Sequence, residues 1–277
     1  MNQLAVFGNP IEHSRSPDIH AAFAAQVDVE LTYNRILVPD NEFAPVAQRF
    51  FDNGGLGCNV TVPCKGDAWE FVKEAGENAN LAEAVNTISL LPGGGFRGDN
   101  TDGPGLVTDL RQNLGWSLGD TRILVLGAGG AVRGVLGSLL QEEPSLVHLH
   151  NRTHKTALQL VDRFQSCMKP TGQLAAVSKD ELEKDYDVII NGTSAGLADQ
   201  AIDLPPAILG KDSCCYDMVY GAGARAFLGW AEGNGARATS DGLGMLVEQA
   251  ALAFEIWFNK KVETEAVISQ LRQMETE

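Results

Sequence analysis

The chain has 277 residues, 44% hydrophobic and 21% charged, close to folded globular averages, which excludes a disordered, collagen-like or disulfide-stapled chain and leaves one large or two ordinary domains. With 21 Lys and Arg against 36 Asp and Glu, the formal charge of -15 argues against nucleic acid or an anionic membrane surface as partner, since both demand a positive face. An anionic ligand must therefore be met by local cations or clustered donors that overcome the general field. The five cysteines (Cys58, Cys64, Cys167, Cys214, Cys215) are odd in number and contain no Cys-x-x-Cys, which fits reduced thiols in a cytoplasm. No apolar run approaches the roughly 18 residues of a spanning helix, and the segment Met1 to Gly8 lacks a basic stretch before its apolar one, so neither a membrane span nor a secretory signal is expected.

In chain order, short β-rich runs at Leu4 to Phe7, Tyr33 to Val38 and Cys58 to Val62 alternate with amphipathic stretches at Pro17 to Val27 and Asp40 to Phe51, a βαβ rhythm. Ser16 is placed to cap the first helix, with Pro17 in its first turn. Pro63 opens a helix after the strand ending at Val62, which sets Lys65 in a first turn at the carboxyl end of a strand, where ligands of open α/β sheets bind.

A second series starts at Arg122 to Leu126, apolar enough for burial on both faces of a parallel sheet. A helix to about Gln141 follows, then a strand at Leu146 to His150, a helix from Thr153 to about Cys167, and strands near Leu174 to Val177, Val188 to Ile190 and Cys215 to Val219. Two helices, Leu246 to Phe254 and Val262 to Met274, end the pattern and are expected to pack back on the first domain. The resulting organisation is an α/β domain over 1–103, a Rossmann-like doubly wound domain over 104–242 and closing helices over 243–277.

The strand at Arg122 to Leu126 runs into Gly127, Gly129 and Gly130 and then a helix, which presents backbone N–H groups and the positive end of a helix dipole to a pyrophosphate. The third glycine of the usual fingerprint is Val132. At the end of the next strand an NAD site offers a carboxylate to the ribose; here stand Asn151, Arg152, Thr153, His154 and Lys155. A guanidinium binds a 2′-phosphate that a carboxylate would repel, so NADP is the expected cofactor. The bland alternative, solvated residues at a helix start, sets cations against the macrodipole.

Four hydroxyl- and amide-rich clusters lie at strand ends or turns: Gly8 to Pro17, Asn59 to Lys65, Ala84 to Thr87 and Gly98 to Gly103. They suit a polyhydroxylated acid, with Lys65 and an Asp for proton transfer. At these residues the chain resembles the shikimate dehydrogenase family. The resemblance rests on Ser14-x-Ser16-Pro17, Asn59-Val-Thr-x-Pro-x-Lys65, Ala84-Val-Asn-Thr87, Gly98-x-Asn-Thr-Asp-Gly103, Gly127-Ala-Gly-Gly-Ala131, Asn151-Arg-Thr153 and Asp241-Gly-Leu-Gly-Met-Leu246, all in the family's order.

The resemblance implies reversible, NADP-linked reduction of 3-dehydroshikimate to shikimate, a step of aromatic amino-acid biosynthesis. It makes the domain over 1–103 the substrate-binding and catalytic one, with the active site in the cleft between the domains, and assigns Lys65 and Asp102 as the catalytic pair, meeting across that crevice, with neither singled out as sole base. Ser14, Ser16, Thr61 and Tyr220 would hold the substrate carboxylate, Asn86 and Gln249 the ring hydroxyls, and Asn59 would support the site. Gly127, Ala128, Gly129, Gly130, Ala131, Asn151, Arg152, Thr153, Lys155, Thr193, Met218 and Gly242 would hold NADP. Many members carry a cation three positions after the Asn-Arg-Thr motif, a place taken here by Thr156. A cytoplasmic monomer or homodimer is expected, with no metal.

Bland readings stand beside these. Lys65 alone could be a surface lysine, and Asp102 could cap the helix through Leu106 and Leu110 as well as act in catalysis. His148 and His150 share a strand face but lack a third ligand and read as structural; His13 stays open; Cys64 reads as a buried filler. Two other functions remain: a quinate/shikimate dehydrogenase that uses NAD or NADP, which Arg152 disfavours, and a non-catalytic NADP-sensing regulator, whose mark would be loss of Lys65 or Asp102.

Overall fold

The computed structural model describes residues 2–193 and 203–276. The chain divides into two compact units, one made of Met1–Gly105 with Val247–Glu277 and the other of Leu106–Leu246.

The first unit holds β1 (Asn2–Gly8), α1 (Ser16–Gln26), β2 (Leu31–Leu37), α2 (Phe43–Asp52), β3 (Gly55–Val60), α3 (Lys65–Phe71), β4 (Glu74–Ala75), α4 (Glu77–Ala82), β5 (Thr87–Leu90) and β6 (Phe96–Asp99). Its sheet runs β2-β1-β3-β5-β6-β4. The βαβ rhythm read from the sequence accounts for the parallel half, β2, β1 and β3. The other half departs from it, because β5 runs antiparallel to both β3 and β6. This hairpin turns at Gly94 and Gly95, both with positive φ, which glycine tolerates without steric cost. It brings the Ala84–Thr87 and Gly98–Gly103 clusters to one end of the sheet.

Packing follows from spacing. In α2, Phe43, Ala47 and Phe51 are buried at four-residue intervals, one helical stripe against the sheet. Phe7 of β1 meets Phe43 and Phe50 edge-on, ring centroids 6.0 and 5.4 Å apart. Each such ring contributes about 1.5–3 kcal/mol by burial.

The second unit contains β7 (Arg122–Leu126), α6 (Gly130–Gln141), β8 (Leu146–His150), α7 (His154–Phe164), β9 (Gln173–Val177), β10 (Tyr186–Asn191), β11 (Leu209–Asp217), α8 (Arg225–Gly233) and β12 (Ala238–Ser240). All pairings are parallel. Counted from β7, the order β12-β11-β10-β7-β8-β9 is the 3-2-1-4-5-6 of a dinucleotide-binding fold, with its reversal point between β7 and β10. Ile123, Leu124 and Val125 of β7 are fully buried, as a strand covered on both faces requires. β11 ends at Asp217, so Met218 and Val219, expected as strand, lie just beyond it.

Two helices cross the division between the units: α5 (Asp102–Thr108), which continues as a π turn over Asp109–Asn113, and α9 (Leu243–Phe258). The last helix, α10 (Glu265–Thr276), belongs to the first unit. In that unit Trp257 of α9 donates its indole N–H to the Ile88 carbonyl at 3.1 Å. Among the described residues no helix is long and apolar enough to cross a membrane.

Candidate active site

In the first unit, β3 ends at Val60 and the chain turns through Thr61, whose N–H donates to the Phe7 carbonyl at 2.8 Å, into α3. Lys65 lies in the first turn of α3, as the sequence predicts, but the helix opens at Lys65 itself and not at Pro63, and β3 ends at Val60 instead of Val62. The Lys65 ammonium lies 2.5 Å from Oδ2 of Asp102, the first residue of α5. The other carboxylate oxygen accepts from Asn86 Nδ2 at 2.9 Å. Lys65 and Asp102 both belong to the first unit, which corrects the expectation that they meet across an interdomain crevice. The reason is that the opening turn of α5 packs with the first unit: a side-chain carbon on Gly105 would lie 2.7 Å from the Gln249 backbone nitrogen, so only glycine lets α5 and α9 approach this closely.

Asn86 is the hub. Its Oδ1 accepts from the Thr101 N–H at 2.9 Å and the Thr87 hydroxyl at 3.0 Å. Its Nδ2 has two hydrogens and three acceptors in reach: Asp102 Oδ1 and Thr101 Oγ1, each at 2.9 Å, and Gln249 Oε1 at 3.3 Å. The Gln249 contact is the weakest. Asn100, part of the Gly98–Gly103 motif but without an expected role of its own, accepts from the Asp102 N–H at 3.1 Å and donates to the Ala84 carbonyl at 3.0 Å. It thereby ties the start of α5 to the Ala84–Thr87 segment. Its place in an Asn-Thr-Asp turn was the available signal, since Asn binds backbone two residues on.

Asn59 makes four hydrogen bonds within the protein. Its Nδ2 donates to Asn86 O and Thr87 Oγ1, each at 3.1 Å, and its Oδ1 accepts from the Tyr33 hydroxyl at 2.6 Å and from His20 Nε2 at 3.2 Å. His20 is fully buried, stacked 4.5 Å from Tyr33, and burial pushes its pKa down to about 3. The neutral ring then carries its proton on Nε2, which leaves Nδ1 buried without a partner. Burial raises the Tyr33 phenol well above its ordinary range, and its hydroxyl also meets Ser16.

Ser14 and Ser16 stand together at the start of α1, hydroxyls 3.2 Å apart. Ser16 is not the helix cap: Arg15 already has helical dihedrals, and the Ser16 side chain faces Ser14 instead of the backbone. Arg35 grips the Ser14 carbonyl through Nε at 2.9 Å and Nη2 at 2.6 Å, a cation the sequence reading did not single out. Tyr220 is in the second unit, three residues past the end of β11 and at the start of the 3-10 turn Gly221–Ala224. Cys64 is buried beside Lys65, and its thiol is pushed up to about 11 by burial, with Asp67 and Asp40 adding to it.

In the second unit, residues at the reversal point form a cradle. Gly127 has φ +103°, and its N–H donates to the His150 carbonyl at 2.7 Å. A side-chain carbon there would sit 3.1 Å from the Gly192 carbonyl oxygen. Gly129 and Gly130 face open space within 4 Å, directly at the start of α6. Val132, where the fingerprint has its third glycine, is fully buried against Gly192, so the small residue that permits close packing has moved to the opposite strand end. Thr193 packs on Gly127, and Met218 lies beside Gly192 and Gly242. Ala128 is buried and Ala131 exposed.

At the end of β8, Asn151 Nδ2 donates to the Thr153 carbonyl at 2.9 Å, while Arg152, Thr153 and Lys155 are exposed. The first turn of α7 carries no acidic residue. This donor set fits a dinucleotide with a 2′-phosphate: glycines leave room for a pyrophosphate at a helix start, and exposed cations follow the second strand. His148 Nδ1 meets the Tyr186 hydroxyl at 2.7 Å and His150 Nδ1 the Val177 carbonyl at 3.1 Å, so both are engaged structurally. Among the described residues there is no group of three or more His, Cys, Asp or Glu able to hold a metal ion.

Comparison with known proteins decides the kinship. The family described as shikimate dehydrogenase substrate binding domain matches residues 6–88, shikimate / quinate 5-dehydrogenase matches 109–198, and the shikimate 5′-dehydrogenase C-terminal domain matches 242–272. The shikimate dehydrogenase (NADP(+)) of Alkalilimnicola ehrlichii is 49% identical over 98% of both chains. The chain belongs to the shikimate dehydrogenase family. Among solved structures, an Ael1 enzyme from Pseudomonas putida superposes with TM-score 0.91 at 39% identity, covering 98% of each chain. Shikimate 5-dehydrogenase from Thermus thermophilus, in complex with NADP(H) and shikimate, matches with TM-score 0.85 and 28% identity over 99% of each chain. The two-unit α/β architecture is thus that of shikimate dehydrogenases.

Proposed function

We propose that this protein is an NADP-dependent shikimate dehydrogenase that reversibly reduces 3-dehydroshikimate to shikimate, with Lys65 and Asp102 as its catalytic pair. The carrying observation is the 2.5 Å contact between the Lys65 ammonium and Asp102, steadied by Asn86. A non-catalytic regulator would have no use for that pair.

Ketone reduction places negative charge on the carbonyl oxygen as hydride reaches the carbon, and a proton must follow. The Lys65 ammonium stabilises that charge, and the Asp102 carboxylate orients the ammonium and relays protons to and from the alcohol oxygen. Asn86 and Gln249 read ring hydroxyls; Ser14, Ser16, Thr61 and Tyr220 hold the carboxylate, and Asn59 supports them. NADP, when bound, supplies or accepts the hydride at its nicotinamide ring. Gly127, Ala128, Gly129, Gly130, Ala131, Thr193, Met218 and Gly242 line its place, while Asn151, Arg152, Thr153 and Lys155 take its 2′-phosphate. All five cysteines are free, in keeping with a reducing cytoplasm, and the protein works there as a monomer or homodimer.

The test is a spectrophotometric assay of reduced nicotinamide with shikimate and quinate, each against NADP and NAD. Turnover of shikimate with NADP far above the other three combinations is expected. Equal rates with NAD would favour the broader quinate/shikimate enzyme, and no turnover would overturn the assignment.

A further inference from the structure

Asp217 ends β11, 1% exposed, and the mechanism above does not use it. Burial pushes its pKa up to about 6, with Asp241 adding in the same direction. A carboxylate kept in such a place costs stability, and packing alone gives no reason to retain one.

Its contacts show what it does. Oδ1 accepts from the Val219 N–H at 2.8 Å and Oδ2 accepts from Asn191 Nδ2 at 2.8 Å. A carboxylate only accepts, so the Asn191 amide must turn its NH2 toward Asp217 and its oxygen the other way. That oxygen takes both donors of Thr193, the hydroxyl at 2.7 Å and the N–H at 3.1 Å. The Asn191 carbonyl meanwhile accepts from the Met218 N–H at 2.8 Å. Thr193 is the residue whose methyl packs on Gly127, at the turn of the dinucleotide cradle.

We infer that Asp217 and Asn191 are positioning residues for the cofactor: the carboxylate fixes the Asn191 amide, and the amide holds Thr193 and the Gly192–Thr193 backbone as the wall opposite Gly127. The inference rests on the NADP reading of this unit and extends it to two side chains that need not touch the cofactor. An amide in place of the Asp217 carboxylate would set an NH2 against the NH2 of Asn191. Asn191 would then flip, and the Thr193 N–H would lose its acceptor. Exchanging the two side chains restores every hydrogen bond: the carboxylate, moved to position 191, accepts from Thr193 and from the amide moved to position 217, whose oxygen accepts from Val219.

The experiment compares wild type, Asp217→Asn and the exchanged pair Asn191→Asp/Asp217→Asn as full-length proteins, with folding checked by circular dichroism. NADP affinity is measured by calorimetry, and KM is measured for both substrates. Asp217→Asn should raise the NADP Kd and KM about tenfold, the worth of one buried hydrogen bond, with the shikimate KM within about twofold of wild type. The exchanged pair should return to within about threefold of wild type. A purely structural role would lower the folded fraction and leave KM unmoved, so an unchanged NADP KM in folded Asp217→Asn overturns the inference, as does an exchanged pair no better than the single variant. If Asp217→Asn does not fold, Asn191→Ala, which offers Thr193 no side-chain acceptor, takes its place with the same tenfold expectation, and an unchanged KM again overturns it. Wild type that binds no NADP would instead overturn the cofactor reading itself.

Discussion

The ammonium of Lys65 and the carboxylate of Asp102 share a hydrogen bond of 2.5 Å, although 37 positions separate them in the chain. In the proposed mechanism the pair acts most strongly on charge that develops during reaction, so Lys65→Ala should lower kcat by about 10² to 10⁴-fold with a modest change in KM. Asp102→Asn should do likewise, and the double variant should lose much less than the product of the two effects, since the residues act as a unit. The check is kcat with NADP and shikimate on protein shown to be folded; near-normal turnover by Lys65→Ala would sink the mechanism.

The paired hydroxyls of Ser14 and Ser16, 3.2 Å apart, are the proposed donors for the substrate carboxylate. Ser14→Ala and Ser16→Ala should each raise the shikimate KM, by roughly three- to tenfold for one hydrogen bond, and leave the NADP KM alone. Steady-state kinetics with each substrate varied in turn decides it. A rise confined to NADP would show that the ligands have been assigned to the wrong units.

Arg152 is exposed at the end of β8, where the 2′-phosphate is proposed to sit. A charge-assisted contact of about 1.5–3 kcal/mol corresponds to roughly ten- to two-hundred-fold in discrimination. Arg152→Ala should raise the NADP KM by such a factor and leave NAD turnover nearly unchanged. Equal losses with both cofactors would assign Arg152 a different role.

Acid should weaken the fold through His20. Its pKa falls from 6.5 in the unfolded chain to about 3 in the buried site, so below 6.5 the unfolded state takes up a proton that the native state refuses. The stability contributed by the neutral ring is whole above about 6.5 and is lost progressively as pH falls toward 3. Between pH 7 and 5 the loss is about 2 kcal/mol. Urea unfolding at both pH values should show it in wild type and a much smaller loss in His20→Phe. The same pH sensitivity in both proteins would mean that another group is responsible.

Local signals carried much of this molecule. The apolar run of β7 with its glycine turn, and the proline before Lys65, each specify structure within a few residues: β7 lies where the sequence places it, and α3 opens two residues past Pro63, at Lys65. The antiparallel hairpin β5–β6 was not legible in the same way, because its strands are four residues long and gain their pairing from β3. Leu91-Pro92-Gly93-Gly94-Gly95 was the only turn signal. The roles of Tyr33, His20 and Asn100 were not legible for a related reason: each acts through a partner fixed by tertiary packing, such as Asn59, 26 positions from Tyr33. Ser16 misled because a serine before a proline suits a cap equally well when its hydroxyl is spent on a neighbour.

The buried thiol beside Lys65 has a practical side. Held up to about 11, Cys64 is a thiolate in only about one molecule in ten thousand at neutral pH, and Cys215, pushed up to about 12, in fewer still. Iodoacetamide or peroxide therefore finds little to attack beside Lys65, and Cys167, half-buried, is the sulfur reached first. Activity should outlast aeration and storage without added reductant. A covalent inhibitor would do better with an aldehyde aimed at an amine than with a warhead aimed at sulfur.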